Sequence, residues 1–229
     1  MGKGIDDRQV KVPSGPVVLE GTLSLPDGAR GLVLFAHGSG SSRFSPRNRH
    51  VARILNEAIL ATLLIDLLTP AEEALDLRSA HLRFDIGLLA ERLVASTDWL
   101  IQHPGTRRFQ IGYFGASTGG GAALMAAATR PQIVGAVVSR GGRPDLAGPS
   151  LSRVRAPTLL IVGGNDVQVI DLNRAALAQL HCEKQLVIVP EAGHLFEEPG
   201  ALDQVAQLAR GWFERHLILA EAQPGNPGA

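Results

Sequence analysis

The sequence predicts an α/β fold in one domain over residues 1–229: a mostly parallel β-sheet with helices on both faces. Three observations carry that expectation. Short, continuous apolar runs alternate along the chain with segments of helical spacing, as strands buried on both faces by crossover helices do. A polar–apolar alternating segment, typical of an antiparallel hairpin, precedes the first of these runs. One apolar run stops abruptly at Gly115-Ala116-Ser117-Thr118-Gly119 and passes into an Ala-rich stretch. That is the strand–turn–helix pattern of a serine held at the apex of a sharp turn.

Taken in order, Gln9 to Val12 and Val17 to Leu25 alternate around Pro13-Ser14-Gly15-Pro16, which predicts a hairpin at a sheet edge. Gly31 to Ala36 is a buried strand ending in His37-Gly38-Ser39-Gly40-Ser41-Ser42, a loop able to bring bare backbone N–H groups to a ligand. Val51, Ile54, Leu55, Ala58 and Ile59 recur at helical spacing, which predicts a helix over 48–59, with a strand over 60–68. The charged stretch 71–83 reads as an irregular or partly helical excursion, and 84–102 as a long amphipathic helix stopped by His103-Pro104-Gly105. A strand over 110–114 rises to Ser117, and residues 122–129 form the helix behind it. Strands over 133–139, 157–162 and 185–189 and helices over 170–180 and 201–216 complete the alternation. Residues 1–7 and 220–229 are expected to be flexible.

Composition narrows the partners. At 229 residues and 45% hydrophobic, the chain can bury a sizeable core. The 22 basic and 22 acidic residues cancel without a basic block, so neither a nucleic acid nor a membrane surface is expected as partner. The single cysteine, Cys182, excludes an intrachain disulfide and cysteine-rich metal motifs. It is expected to be buried and inert. The polar start Met1 to Asp7 lacks a signal-like apolar region and the apolar runs are strand-length, so a cytoplasmic location is expected. No pattern specifies an oligomeric state.

Ligands of parallel α/β sheets bind beyond the carboxyl ends of the strands. His37, Ser117, Arg140, Asp166 and His194 all fall at or just past those ends. A serine hydroxyl needs a base to take its proton, imidazole suits neutral pH, and a carboxylate must fix the imidazole tautomer. His194, after the last strand, is the candidate base. Asp166 is the candidate carboxylate, with Asp171 and Glu191 close by. The order Ser117, Asp166, His194 is the one this arrangement uses. Charge developing on a carbonyl oxygen needs two donors, for which the N–H groups of Thr118 and Ser39 are the candidates. His37 is expected to shape its loop through side-chain-to-backbone hydrogen bonds. Arg140 and Arg143 could clamp a substrate carboxylate, or hold a loop through Asp145 or Glu191. Arg43 and Asn48 face the same choice.

The Ser117 elbow and the His37-Gly38-Ser39-Gly40 loop resemble those of the α/β-hydrolases, and within them the dienelactone hydrolase family, over about Gln9 to His216. The resemblance implies an α/β-hydrolase fold without a cap domain, and the short segment between the strands over 133–139 and 157–162 leaves no room for a lid, which predicts an open cleft. The resemblance also implies acyl transfer on a small-molecule ester, thioester or lactone: Ser117 attacks, His194 takes and returns the proton, and water hydrolyses the acyl-enzyme. No metal or organic cofactor is implied. The dienelactone hydrolases proper carry cysteine where this chain has Ser117, which points to general serine esterase chemistry. Two alternatives stay open: a non-catalytic ligand-binding protein on this fold, and the same three residues used for amide hydrolysis or perhydrolysis.

Overall fold

A computed structural model describes residues 5–218. The hairpin is β1 (Ile5–Ser14) and β2 (Val17–Pro26). Then follow β3 (Leu32–Ala36), α1 (Pro46–Glu57), β4 (Ala61–Ile65), α2 (Pro70–Ser79), α3 (Ile86–Gln102), β5 (Ile111–Ala116) and α4 (Thr118–Thr129). The chain continues through β6 (Val134–Arg140), β7 (Thr158–Gly163), α5 (Val167–Gln179), β8 (Lys184–Val189) and α6 (Ala201–Leu217). Short 3₁₀ segments lie at Leu82–Phe84 and Pro144–Arg153. One eight-stranded sheet runs β1-β2-β4-β3-β5-β6-β7-β8. β2 is antiparallel to both β1 and β4, and every other neighbouring pair is parallel.

Each central strand feeds two cores because successive side chains point to opposite faces. In β3, Leu32, Leu34 and Ala36 join the core under α3, α4 and α5, whereas Val33 and Phe35 join the core under α1 and α6. Leu89, Leu93 and Ala122 line the first of these, and Val51, Leu55, Val205 and Phe213 the second. Continuous apolar runs are therefore what both faces require. Between β6 and β7 lies only the 3₁₀ segment, packed on α4, with no cap domain inserted.

The structure departs from the sequence expectations at several boundaries. Ile5 to Asp7, expected to be flexible, continue β1 and pair with Pro26, Leu25 and Ser24. Their charged character hid the strand because this part of the hairpin is solvent-exposed. The rest of that expectation, residues 1–4 and 220–229, lies outside the described residues. The excursion over 71–83 is partly helical, as expected: α2 covers most of it and is opened by a capping box. There Thr69 accepts from Glu72 N–H while the Glu72 carboxylate accepts from Thr69 N–H. α1 starts two residues early, capped by Ser45 with Pro46 in the first turn. β6 runs one residue further and ends on Arg140. Among the described residues, no helix is long and apolar enough to cross a membrane.

Two glycines bring β5 and α4 together. A Cβ on Gly115 would lie 2.5 Å from Gly119 O, and one on Gly119 only 2.3 Å from Ala36 O. Gly211, within α6, has open space around it. Gly119→Ala is therefore expected to cost about 3 kcal/mol, whereas Gly211→Ala should gain about 0.5–1 kcal/mol. Urea denaturation of the two variants checks both signs.

Candidate active site

Ser117 occupies the turn between β5 and α4 with φ 51° and ψ −122°, a region that side chains other than glycine rarely adopt. The turn is held by backbone hydrogen bonds. Ser117 N–H donates to Arg140 O at 3.2 Å, and Ser117 O accepts from Gly120 N–H at 2.9 Å and Arg143 N–H at 3.0 Å. The carbonyl groups are thereby spent inside the fold, and the hydroxyl is turned toward the cleft.

His194 Nε2 lies 3.3 Å from Ser117 Oγ, and His194 Nδ1 lies 2.6 Å from Asp166 Oδ2. A carboxylate can only accept, so Nδ1 carries the proton and Nε2 presents its lone pair to the serine. Asp166 is the N-cap residue of α5, yet its side chain makes no capping bond there and is given to His194 instead. Asp171 pairs with Arg174, away from the imidazole.

The loops carrying Asp166 and His194 are fastened to each other. Asn165 N–H donates to Ala192 O at 2.9 Å, Asn165 Nδ2 to Glu191 O at 2.7 Å, and Gly164 N–H to Val189 O at 2.8 Å. Gly163 permits this approach, because a Cβ there would lie 2.4 Å from Ala192 O. On the far side, Gly193 N–H donates to Glu198 Oε1 at 2.8 Å. The sequence reading missed Asn165; its place between a glycine pair and an aspartate at a strand end was the available signal.

Thr118 is the first residue of α4, so its N–H has no intrahelical acceptor and lies at the positive end of the helix dipole. The N–H of Ser39, the other expected donor, donates to Thr118 Oγ1 at 2.9 Å. The two expected donors are adjacent, but one is occupied by the other's side chain. β-branching at Thr118 favours few χ1 settings, and the one adopted puts the hydroxyl over the loop.

The loop carrying Ser39 is pinned from behind. His37 Nδ1 donates to Gly38 O at 3.0 Å, leaving Nε2 to accept from Leu67 N–H at 3.0 Å. Arg43 donates its backbone N–H to Asp66 Oδ1 at 2.6 Å, and its guanidinium pairs with Asp66 and with Glu20. Both residues thus hold the loop. Of the two roles open to Arg143, the structure shows the loop-holding one: it forms a bidentate pair with Asp145, at 2.9 and 2.7 Å, and does not line the cavity beside Ser117. A short-range partner two residues away wins over an empty cleft. Arg140 does line that cavity, as does Asn48. Cys182 is half-buried, its thiol pushed up by burial, 3.8 Å from Thr158 Oγ1.

The cavity beside Ser117 holds about 200 Å³. Gly38, Ser39, Ser41 and Arg47 also line a neighbouring cleft of about 550 Å³, which Leu68, Leu77 and Leu89 line as well. Among the described residues, no group of three or more His, Cys, Asp or Glu side chains could hold a metal ion.

A serine elbow facing an imidazole and a carboxylate, on a sheet of this order with an N-terminal hairpin, defines an α/β-hydrolase. The chain matches the dienelactone hydrolase family over residues 71–218, and it belongs to that family. It is similar to the crystal structure of a dienelactone hydrolase from Anabaena variabilis, with 65% identity and a TM-score of 0.92, covering 93% of this chain and 99% of that one. A dienelactone hydrolase-like promiscuous phosphotriesterase from metagenomic libraries shares the fold at 19% identity and a TM-score of 0.77, covering 94% of this chain and 100% of that one. Two proteins of Mycobacterium tuberculosis strains, provisionally named phosphoribosyl transferases, are each 58% identical over 211 residues. That match covers 92% of this chain and 47% of theirs, so the chain spans about half the length of these curated relatives.

Burial pushes the His37 imidazole below its ordinary value. Because the folded state then binds fewer protons than the unfolded one, stability is full above about pH 6.5 and is lost as pH falls below it. His216, also lowered by burial, acts in the same direction. Thermal unfolding is expected to show a midpoint falling from pH 7 to pH 5. His37→Asn should lower the midpoint at pH 7 and flatten that slope.

Proposed function

We propose that the protein is a serine hydrolase that cleaves a small carboxylic ester, thioester or lactone through an acyl-enzyme on Ser117. The observation that carries this reading is the continuous path Ser117 Oγ–His194 Nε2–Asp166, at 3.3 and 2.6 Å, with the serine on a strained turn. Membership of the dienelactone hydrolase family supports it.

In this mechanism Ser117 Oγ attacks the carbonyl carbon as His194 Nε2 takes its proton, and Asp166 stabilises the imidazolium that forms. The tetrahedral oxyanion receives the Thr118 N–H at the head of α4. The Ser39 N–H joins by leaving, or sharing, its bond to Thr118 Oγ1. Two such donors are worth about 3–4 kcal/mol each in measured cases. Collapse expels the alcohol or thiol, protonated by His194. A water activated by the same imidazole then releases the acid and restores Ser117. In a lactone the leaving hydroxyl stays attached to the acyl chain.

The transferase name of the mycobacterial relatives belongs to chains about twice this length, and the geometry beside Ser117 favours acyl transfer. A non-catalytic binding role, or amide hydrolysis or perhydrolysis, is separated from this reading by assay. Wild-type protein is expected to hydrolyse p-nitrophenyl esters faster than the matching anilides, and to be labelled by a fluorophosphonate. Ser117→Ala should abolish labelling, and Ser117→Ala, His194→Ala and Asp166→Asn should each lower kcat/KM by roughly 10³-fold or more while the protein stays folded. Absence of both labelling and turnover in the wild type would favour the binding role.

A further inference from the structure

Arg140 is an unusual occupant of the cavity beside Ser117. The residue is 6% exposed, and it takes part in none of the ion pairs among the described residues. Its contacts are one long hydrogen bond from Nη1 to Leu195 O, at 3.5 Å, and the Phe196 ring, 5.8 Å from the guanidinium carbon. Its Nε has no partner. A buried guanidinium loses hydration that an ion pair or a full set of acceptors normally restores.

The same cavity is walled by the start of α1, where Ser45 caps the helix and Arg47 stands in the first turn. Arg47 Nε is also buried without a partner, while its Nη1 reaches the exposed Glu197 at 3.1 Å. Burial, and then the nearby charge of Arg47, lower the Arg140 guanidinium to about 10. Two guanidinium groups thus repel each other beside the nucleophile, and the positive end of the α1 dipole adds to them. An anion between them would relieve all three penalties.

We propose that Arg140 and Arg47, with the first turn of α1, form a subsite for a dianionic phosphoryl or phosphonyl group that the substrate carries near its scissile carbonyl. This rests on the serine hydrolase reading for the bond that breaks. The phosphoryl group is a spectator: the acyl C–O bond is cleaved by water, and no bond to phosphorus changes. A dianion matches two cations, and a tetrahedral group has enough oxygens to serve both forks, whereas a single carboxylate leaves one guanidinium undercompensated. Glu197 reduces this demand little, because it is exposed to solvent and screened.

Two measurements test the subsite. In the first, the unfolding midpoint is followed with inorganic phosphate, with sodium chloride holding ionic strength constant, for wild type, Arg140→Lys, Arg140→Gln and Arg47→Gln. Phosphate is expected to raise the wild-type midpoint above the chloride control. The shift should be smaller in Arg140→Lys and Arg47→Gln and lost in Arg140→Gln. No shift above chloride in the wild type, or an equal shift in all variants, overturns the proposal.

In the second, kcat/KM is compared for the p-nitrophenyl esters of butyrate, hemisuccinate and 3-phosphonopropionate, corrected for spontaneous hydrolysis. The phosphonate ester is expected to exceed butyrate by about tenfold or more, chiefly through KM, and that ratio should collapse in Arg140→Gln. A hemisuccinate preference overturns the phosphoryl assignment in favour of a carboxylate. Equal rates for all three overturn the subsite while leaving the hydrolase reading standing. If no ester is cleaved and no fluorophosphonate adduct forms, it is the hydrolase reading that fails, and the phosphate shift still decides the subsite.

Discussion

The site depends on how closely β5, α4 and the end of β3 approach one another. Gly115 and Gly119 leave no volume for a Cβ, with backbone oxygens 2.5 and 2.3 Å from where one would sit. That contact forces the chain to turn within one residue, and Ser117 absorbs the turn as a positive φ. The strain is offset by packing: β5 is buried throughout and α4 from Thr118 to Leu124, and the Tyr113 hydroxyl on β5 is tied to Thr97 of α3 at 2.6 Å. A looser elbow would let Ser117 relax and carry its hydroxyl away from His194.

Around this fixed point, the other functional groups are set by short braces rather than by long side chains reaching in. Asn165 and Gly164 lash the Asp166 loop to the His194 loop through backbone groups. Arg43 and His37 tie the Ser39 loop to the end of β4, and Arg143, locked to Asp145, gives its backbone N–H to Ser117 O. Two of the chain's arginines thus serve as struts. Arg140 is the one left facing the cavity without an acid, and it is the residue from which substrate charge is inferred.

Much of this was legible in the sequence, because burial on both faces writes itself as continuous apolar strands and the elbow as glycines flanking Ser117. The placing of Asp166 and His194 at strand ends followed from the parallel topology. What the sequence hid was local pairing. Whether Arg143 faces a ligand or Asp145 depends on side-chain direction, and the Ser39-to-Thr118 bond crosses 79 positions of sequence. The extent of α2 was hidden for a different reason: its charged residues conceal any periodic apolar face, and only the Thr69/Glu72 capping box marks it. The role of Arg47 was concealed because the helix was placed from its apolar spacing, starting at Asn48, rather than from the Ser45-Pro46 cap that puts Arg47 at the cleft.

The central claim is that Ser117 becomes acylated. Rapid quench of the protein with a p-nitrophenyl ester, followed by intact-mass analysis and peptide mapping, tests it most directly. The account predicts a transient mass increase equal to the acyl group, located on the peptide containing Ser117. Release of p-nitrophenol with no covalent adduct, or with the adduct on another residue, would contradict it.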